Sequence, residues 1–556
     1  MRKNFSEFWP SETEGDYFSE EKEAADFLIA PVGKTRVSLF SLFLILVLTL
    51  FTVRLFWLEV VKGNYYHDLA ENNRLRIERI KANRGLIYDK EGVVLVKNKP
   101  LFFLEEKRIS EPEALKLIVQ EEKIKIQAER EYLFPEVFSH VLGYGGKISK
   151  EEFALKKNEG YSFDDSLGKD GLEFFYEPVL KGKDGRKKIE VDSLGKETRI
   201  FAEEKTEDGQ NLSLSIEVAL QKKVKEVFEK YSGKRGRGAV ILMDPRNGEI
   251  LSLVSLPVYD NNLIKKGEVW REILIDKDAP LLNRAIAGLY PSGSIIKPII
   301  ALAALEEGLI DKQTSILSVG GFWAGNRFFS DWKQGGHGRV NLNEALAWSV
   351  NTFFYYLGGG YGDFKGLGPE KLNFYFKKVG LGEKTGIDLP NEKSGFLPTP
   401  EWKKRTKNED WYIGDTYNLS IGQGDILVTP LQIANLTSML ANGGTFFKPG
   451  FVKKDEPEII AEKIFKKENL ELVRLGLKTV VDRGTASSLK SLGIPLAGKT
   501  GTAQVSQKEK PHAWFTGFAP FDNPEIVVTV LIENGGEGSD LALKVAREIL
   551  QYYFSR

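Results

Sequence analysis

The sequence predicts an α+β protein with three parts: a single N-terminal transmembrane helix, an elongated β-rich domain, and a larger domain whose central antiparallel sheet is covered by helices. Three observations support this prediction. An apolar segment lies near the N-terminus, a charged region with short strand-like runs follows it, and the remainder has strand patterns at both ends with helical patterns between them. Strands at both ends of one domain favour a single sheet that both ends build.

The apolar segment at residues 37–53 is uncharged, and it reaches Leu58 when Arg54 is included. A helix of that length crosses a bilayer core of about 30 Å. A cleaved signal peptide and a buried core helix are the alternatives, but no small-residue cleavage site follows the segment. We therefore expect a tail at residues 1–36 and a transmembrane helix at 37–58. Basic residues flank both ends of the segment, so the positive-inside rule gives little indication of which end faces the cytoplasm.

The composition argues against several classes of function. The 556 residues include 78 Lys+Arg and 78 Asp+Glu, so no excess of positive charge indicates a nucleic acid as partner. The chain has no cysteine, which rules out disulfides, thiolate zinc clusters and cysteine nucleophiles. It has four histidines, so a histidine-based catalytic triad has few candidates.

Two domains are expected after the apolar segment. Residues 59–210 have many charges, strand-like runs and a hairpin turn at 89–92, but no catalytic cluster, so we expect a spacer or interaction domain. Residues 211–556 begin with a hairpin at 238–254 and continue with a mainly helical middle. Strand patterns and a final amphipathic helix complete this domain, at 499–505, 513–518, 526–532 and 540–553.

A candidate nucleophile, Ser294, lies three residues before Lys297, where a Pro/Gly turn leads into an apolar helix. Residues at this spacing share one helix face, so a desolvated lysine of lowered pKa can take the serine proton. Free N–H groups at the helix start favour developing negative charge. Ser-x-x-Lys also occurs elsewhere, for example at Ser487 and Lys490, and an N-cap serine beside a solvated lysine is the structural alternative.

Two further motifs favour the catalytic interpretation. Ser349-Val-Asn351, in a helical and aromatic-rich stretch, offers a hydroxyl that relays a proton and an amide that holds a peptide. Lys499-Thr-Gly501, on a predicted strand, offers a cation and a hydroxyl for a carboxylate, and its glycine permits close backbone approach. A second Lys-Thr-Gly at 384–386 is rejected because its surroundings predict a loop.

These three motifs, in this order, resemble the signature of penicillin-binding proteins and serine β-lactamases. Segments 84–92 (RGLIYDKEG), 140–144 (HVLGY) and 168–173 (GKDGLE) resemble the pedestal of the monofunctional, class B members. Segments 335–340 (GGHGRV) and 422–430 (GQGDILVTP) further resemble the elongation branch of that class, penicillin-binding protein 2.

The resemblance implies a peptidoglycan D,D-transpeptidase that binds penicillin and cross-links stem peptides through a serine acyl-enzyme during cell-wall elongation and shape maintenance. It implies a pedestal at 59–210 and a transpeptidase domain at 211–556. The backbone N–H groups of residues 294 and 502 would form the oxyanion hole. The implied catalytic residues are Ser294, Lys297, Ser349 and Lys499, and the implied substrate-binding residues are Asn351, Thr500, Gly501 and Thr502. No cofactor and no metal is expected.

The resemblance also implies a cytoplasmic tail and a catalytic domain on the outer, periplasmic side of the cytoplasmic (inner) membrane. The implied partners are stem peptides, β-lactams, a SEDS-family (RodA-like) glycan polymerase and the elongation machinery. Three alternatives stay open: a division or sporulation paralogue, a hydrolytic β-lactamase or carboxypeptidase, and a non-catalytic β-lactam sensor or scaffold. A D,D-carboxypeptidase side activity is compatible with the same site.

Other residues have weaker interpretations. His337, near Asp331, is a candidate metal ligand, but a structural loop histidine is favoured because few partners are near. Trp323, Trp332 and Trp348 are candidates for lining a substrate groove, but core packing is favoured.

Overall fold

This computed structural model describes residues 33–105, 107–120, 124–192, 196–506 and 508–556. The first 32 residues of the predicted tail at 1–36 lie outside the described residues. The described chain divides into two compact units. One takes in the chain up to Glu78 together with Lys187–Glu203, and the other takes in Arg79–Arg186 and Glu204–Arg556.

The secondary structure of the described residues alternates short strands with helices. The strands are β1 (Leu75–Ile80), β2 (Ile87–Tyr88), β3 (Val94–Leu104), β4 (Lys107–Ile109), β5 (Ile124–Tyr132), β6 (Gly145–Lys147), β7 (Ser166–Gly168), β8 (Gly185–Val191), β9 (Glu197–Glu204), β10 (Leu212–Ser213), β11 (Gly238–Met243), β12 (Ile250–Leu256), β13 (Ser315–Ser318), β14 (Gly321–Ala324), β15 (Arg327–Ser330), β16 (Gly338–Asn341), β17 (Phe446–Phe447), β18 (Ile459–Ala461), β19 (Ala497–Ala503), β20 (His512–Ala519) and β21 (Ile526–Ile532).

The α-helices are α1 (Lys34–Phe56), α2 (Gly63–Arg74), α3 (Glu111–Val119), α4 (Ser139–Leu142), α5 (Lys150–Lys156), α6 (Gly171–Phe175), α7 (Glu177–Leu180), α8 (Val218–Ser232), α9 (Gly267–Ile275), α10 (Lys297–Glu306), α11 (Leu342–Ala347), α12 (Asn351–Gly359), α13 (Gly368–Lys378), α14 (Pro400–Lys407), α15 (Ile413–Leu419), α16 (Pro430–Ala441), α17 (Lys467–Arg483) and α18 (Leu541–Ser555).

The N-terminal apolar helix is confirmed. Helix α1 continues through a π-helical turn at Trp57–Val61, and the combined segment Lys34–Val61 has a hydropathy of 2.4. Its side chains are exposed or half-buried although most are apolar. A helix that is apolar all round and lacks a packing partner suits a lipid environment. The segment is long and apolar enough to cross a membrane once.

The predicted hairpin turn after β2 is confirmed, and the side chain of Asp89 holds it. Its Oδ1 atom accepts hydrogen bonds from the backbone N–H groups of Glu91 (2.9 Å) and Val93 (2.8 Å). Its Oδ2 atom accepts one from Val218 N, 3.1 Å away at the start of α8. A single buried carboxylate therefore joins this hairpin to the first helix of the larger predicted domain.

Glu173, in the 168–173 segment, joins Arg84 of the 84–92 segment to Arg130 of β5. Its Oε2 atom accepts from Arg84 Nε and its Oε1 atom from Arg130 Nε, both over 2.7 Å. Burial would raise the pKa of this carboxyl, but the two guanidinium groups hold the pKa below its usual value. Gly143 packs against the same region so closely that a Cβ there would lie 1.9 Å from the carbonyl oxygen of Asp170.

The predicted central sheet is confirmed. Within the described chain it has the strand order β12-β11-β21-β20-β19, with antiparallel pairing throughout. The strand β11 comes from the start of the larger predicted domain and β21 from its end, and Ala239 lies opposite Leu531. Helices α8 and α18 pack on each other and on the sheet, and α16 contacts β11, β20 and β21. Every residue of β21 is buried, which requires cover on both faces of the sheet.

Candidate active site

Ser294 lies in a tight turn that leads directly into a buried helix, as predicted. Residues Gly293–Ile296 form one 3₁₀ turn, and α10 begins at Lys297 with Pro298 in its first turn. Proline suits that position because its missing N–H would be unpaired at a helix start in any case. Gly293 has φ of +55° and donates its backbone N–H to the carbonyl oxygen of Gly422 over 2.8 Å. The turn is therefore fixed from both sides of the serine.

Lys297 is fully buried, and its amine contacts the Ser349-Val-Asn351 segment. The Nζ atom lies 2.8 Å from Ser349 O, 3.3 Å from Ser349 Oγ and 2.7 Å from Asn351 Oδ1. Burial lowers the pKa of this amine to about 7, and the nearby carboxylate of Asp331 acts in the opposite direction. The predicted desolvated lysine is confirmed. The structure has no hydrogen bond between Lys297 and Ser294, although both side chains are described.

The Ser349-Val-Asn351 segment forms the turn between α11 and α12, where its sequence predicts a helical stretch. Ser349 has φ of +55°, a left-handed conformation that is uncommon for a residue with a Cβ atom. Asn351 begins α12. The turn brings the Ser349 carbonyl oxygen and the Asn351 amide onto one amine, which a continuous helix would not do. Backbone strain of this kind is concentrated at functional sites.

Asp331 holds this turn in place through hydrogen bonds to Thr352, a role that no motif in the sequence predicts. Its Oδ2 atom accepts hydrogen bonds from Thr352 N (3.1 Å) and Thr352 Oγ1 (2.9 Å). His337 Nε2 lies 3.7 Å from its Oδ1 atom. Burial lowers the pKa of His337, so the imidazole is neutral at pH 7. Among the described residues, no three His, Asp or Glu side chains are grouped so as to hold a metal ion.

The Lys499-Thr-Gly501 motif lies on the edge strand β19, directly beside the serine turn. A Cβ atom on Gly501 would lie 2.8 Å from Ile295 Cγ2, and one on Gly293 would lie 2.7 Å from Thr502 O. Both glycines are therefore needed for the close approach of strand and turn. This contact places residues 501 and 502 beside Ser294. The prediction that Gly501 serves close backbone approach is confirmed.

Lys499 is the second fully buried amine of the site. Its Nζ atom donates to Thr500 O over 2.9 Å. Burial lowers the pKa of Lys499 well below its usual value, and the positive charge of nearby Lys297 lowers it further. The two amines of the predicted site are thus close enough to interact electrostatically, and an anion that binds between them would raise the pKa of Lys499.

Two further residues beside β19, which no motif in the sequence predicts as site residues, contact Thr500 and Thr502. Thr485 Oγ1 lies 2.7 Å from Thr500 Oγ1, and Gln423 Nε2 donates to Thr502 O over 3.4 Å. Gln423 lies in the 422–430 segment, whose sequence resembles penicillin-binding protein 2. Thr485 stands after Gly484 with no motif around it. The rejected Lys-Thr-Gly at 384–386 does lie in a loop, where the Glu392 carboxylate accepts from Thr385 N (2.7 Å).

The expectation that three tryptophans pack in the core is wrong. Trp323 is 62% exposed, Trp332 58% and Trp348 39%. On the hairpin of β14 and β15, Phe322 and Phe329 occupy the buried face. Strand alternation then sends Trp323 to the solvent face, since neighbouring side chains of a strand point in opposite directions.

Comparisons with known proteins agree with this arrangement. The family model "Penicillin binding protein transpeptidase domain" matches residues 238–551, and "Penicillin-binding Protein dimerisation domain" matches 103–214. The protein "Peptidoglycan D,D-transpeptidase MrdA" of Haemophilus influenzae is 32% identical over 92% of this chain and 90% of its own length. The chain belongs to the penicillin-binding protein transpeptidase family.

Solved structures show the same likeness. The complex between penicillin-binding protein PBP2 and MreC from Helicobacter pylori contains a chain that is 30% identical, with a TM-score of 0.77 over 86% of this chain and 99% of that one. A structure titled "Structural coordination of polymerization and crosslinking by a peptidoglycan synthase complex" contains a chain that is also 30% identical. Its TM-score is 0.74, over 94% of this chain and 99% of that one.

Proposed function

We propose that the protein is a peptidoglycan D,D-transpeptidase of cell-wall elongation, which cross-links stem peptides through an acyl-enzyme on Ser294. One observation supports this proposal most strongly. The buried amine of Lys297, of pKa about 7, bonds to the Ser349-Val-Asn351 turn, one 3₁₀ turn from Ser294 and beside the Lys499-Thr-Gly501 strand. A lysine that is half neutral at pH 7 can act as a general base, whereas one of ordinary pKa cannot.

In the first step, Ser294 Oγ attacks the carbonyl carbon of the penultimate D-Ala of a donor stem peptide, and neutral Lys297 takes the hydroxyl proton. The backbone N–H groups of Ser294 and Thr502 stabilise the tetrahedral oxyanion. Loss of one such donor typically costs about 100- to 1,000-fold in rate. Ser349 Oγ, 3.3 Å from Lys297 Nζ, passes the proton to the nitrogen of the departing D-Ala. The C–N bond breaks and an ester to Ser294 remains.

Lys499, Thr500 and Thr502 bind the carboxylate of the donor peptide, or that of a β-lactam. The negative charge of the carboxylate favours the protonated amine, so binding raises the pKa of Lys499 and opposes the effect of burial. The side-chain amide of Asn351 holds the peptide backbone. In the second step an amine of a neighbouring stem peptide attacks the ester, the new peptide bond forms, and Ser294 Oγ regains a proton. If water attacks instead, the same site acts as a D,D-carboxypeptidase.

The N-terminal apolar helix is a single-pass anchor in this proposal, and the catalytic domain lies on the outer side of the cytoplasmic membrane. We further propose that residues 59–210 form the pedestal and 211–556 the transpeptidase domain. A relative of known structure is bound to MreC, and another belongs to a peptidoglycan synthase complex. These relatives support an assembly with the elongation machinery and a SEDS-family glycan polymerase.

Covalent labelling with a fluorescent penicillin tests the proposal. The full-length chain should be labelled with one equivalent, and Ser294→Ala should abolish both labelling and peptide cross-linking. Ser487→Ala is the matched control, because Ser487 and Lys490 have the same spacing in an unrelated 3₁₀ turn. Survival of labelling in Ser294→Ala would overturn the proposed nucleophile. If the chain is labelled but does not cross-link peptide substrates, even with a glycan polymerase present, the sensor or scaffold alternative is favoured.

A further inference from the structure

Four aromatic side chains form an exposed surface beside the proposed active site, and the mechanism above uses none of them. We call this surface the aromatic ledge; it consists of Trp323, Phe328, Trp332 and Trp348. Trp323 and Phe328 are 62% and 45% exposed, and they form a cross-strand pair on the solvent face of the hairpin of β14 and β15. Their ring centroids are 5.4 Å apart. Exposed apolar surface that is contiguous can serve as a ligand or partner site.

The ledge is held in place by polar and aromatic contacts on its inner side. Trp332 Nε1 donates to the carbonyl oxygen of Trp348 over 2.9 Å, which fixes the Trp332 ring next to Ser349. Beneath the hairpin, Phe322 and Phe329 pack against Tyr355 and Tyr417 in a separate buried cluster. A ring that is already fixed loses little entropy when a ligand binds to it. The exposed rings are therefore preorganised although solvent surrounds them.

The ledge is also connected directly to the catalytic turn. Asp331 follows β15 and accepts both hydrogen bonds from Thr352, the residue after Asn351. Phe328 lies three residues before Asp331, a distance of about 10 Å along a strand. The ledge thus starts at Trp332, beside Ser349, and reaches outward to Phe328 and its strand partner.

We infer that the aromatic ledge binds the sugar rings of the glycan to which the stem peptide is attached. This inference rests on the proposed function. If the end of the donor peptide is at Ser294, its sugar is at the other end of a peptide of four or five residues, which spans roughly 13–18 Å when extended. Phe328 lies about 10 Å from Asp331 along the strand, and Asp331 bonds to Thr352 beside Asn351, so the outer rings are within the reach of such a peptide. Pyranose rings have apolar C–H faces that stack on flat aromatic rings, and the exposed Asn326 and Arg327 at the hairpin turn add hydrogen-bond donors for hydroxyl and acetamido groups.

A sugar suits this surface better than a partner protein does. Exposed polar residues of the hairpin turn and of the segment after Trp332 lie beside these rings in the chain, among them Lys333, Gln334 and Arg339. Protein interfaces usually have a contiguous apolar centre surrounded by a polar rim. Pairs of aromatic residues with hydrogen-bonding groups beside them fit a chain of hydrophilic rings.

Competition with fluorescent penicillin tests the inference on the full-length protein. The probes are a soluble peptide that ends in D-Ala-D-Ala and the same peptide linked to its amino-sugar disaccharide. We expect the glycopeptide to compete at least about 10-fold better than the free peptide. Trp323→Ala and Phe328→Ala should remove most of that advantage and leave both penicillin labelling and free-peptide competition unchanged. Phe374→Ala is the matched control, because Phe374 is 58% exposed on α13, in another part of the domain.

The possible results separate this inference from the proposed function. Equal competition by both probes would overturn the inference, and so would a glycopeptide advantage that survives in Trp323→Ala and Phe328→Ala. Variants that keep the glycopeptide advantage but lose stimulation by a partner protein would assign the ledge to protein binding and overturn it too. Absence of penicillin labelling in the wild-type chain would instead contradict the proposed function.

Discussion

Lys297 Nζ lies 2.7 Å from Asn351 Oδ1, and this bond joins two motifs that are 54 positions apart in the chain. A second bond, to Ser349 O, has a length of 2.8 Å. A neutral amine has two N–H donors and one lone pair, so these two acceptors occupy both donors and leave the lone pair free for a hydroxyl. The turn at Ser349 and Asn351 therefore orients Lys297 as a base, in addition to any contact it makes with substrate.

The rate of acylation should follow the titration of Lys297. Burial lowers the pKa of its amine to about 7, and only the neutral form accepts a proton. We expect the second-order rate of penicillin labelling to rise about 10-fold per pH unit below pH 7 and to level off above it. Labelling rates between pH 5 and pH 9 measure this. A rate that falls as the pH rises through 7 would contradict the assignment of Lys297 as base.

Asp331→Asn should move that pH profile toward acid. The Asp331 carboxylate opposes the effect of burial by favouring the protonated amine of Lys297. Without the negative charge, the pKa of Lys297 falls, and the midpoint of the profile should lie below that of the wild type. The asparagine oxygen can still accept from Thr352 N, so the turn should persist. The same labelling assay measures the midpoint, and a shift toward alkali would show that the carboxylate acts in another way.

Gly501→Ala should slow acylation by displacing β19 from the serine turn. The new Cβ would lie 2.8 Å from Ile295 Cγ2, closer than real Cβ atoms approach, and 3.2 Å from Trp514 Cβ, closer than most of them do. A shift of about 1 Å in a catalytic group costs on the order of 100-fold in rate. Gly267→Ala, at a position with no atom within 4 Å of the new Cβ, is the control and should label normally. Equal labelling of the two variants would mean that β19 accommodates the new Cβ without displacing the catalytic groups.

Glu173→Gln should destabilise the fold without touching the active site. Glu173 is fully buried between Arg84 and Arg130, and its neutral replacement leaves buried guanidinium charge uncompensated. Breaking a buried ion pair in this way typically costs about 3–5 kcal/mol in the free energy of unfolding. Chemical denaturation of the purified protein measures the loss.

Glu131→Gln is the control for that experiment. Its carboxylate pairs with Lys97 (3.3 Å) and Lys99 (3.4 Å) on the surface of the same sheet. Exposed pairs contribute about 0–1 kcal/mol, so this variant should unfold nearly as the wild type does. Comparable losses in both variants would mean that the Arg84–Glu173–Arg130 cluster is not the structural centre of the pedestal segments.

The sequence predicted the main features of the fold because these depend on local pattern. Uncharged apolar residues at 37–53 predict a helix without a soluble partner, and the continuous, mostly β-branched run at 526–532 predicts a buried strand. The nucleophile turn was predictable for the same reason, since Pro298 and Gly293 are local signals of a helix start. The motif at 499–501 was assigned correctly to a strand, and its competitor at 384–386 to a loop.

The sequence by itself thus determined the parts of this protein: the apolar N-terminal helix, the strands that build the central sheet, and the residues that resemble a serine acyl-transfer site. Only the tertiary structure decided that Lys297 bonds to Asn351, that Asp331 and Thr485 support the site, and that Trp323 faces solvent. Periodicity reports which face of an element is apolar, but a hydrogen bond or a pKa depends on which distant groups packing brings within about 3–6 Å. The folded chain as a whole determines which groups become neighbours.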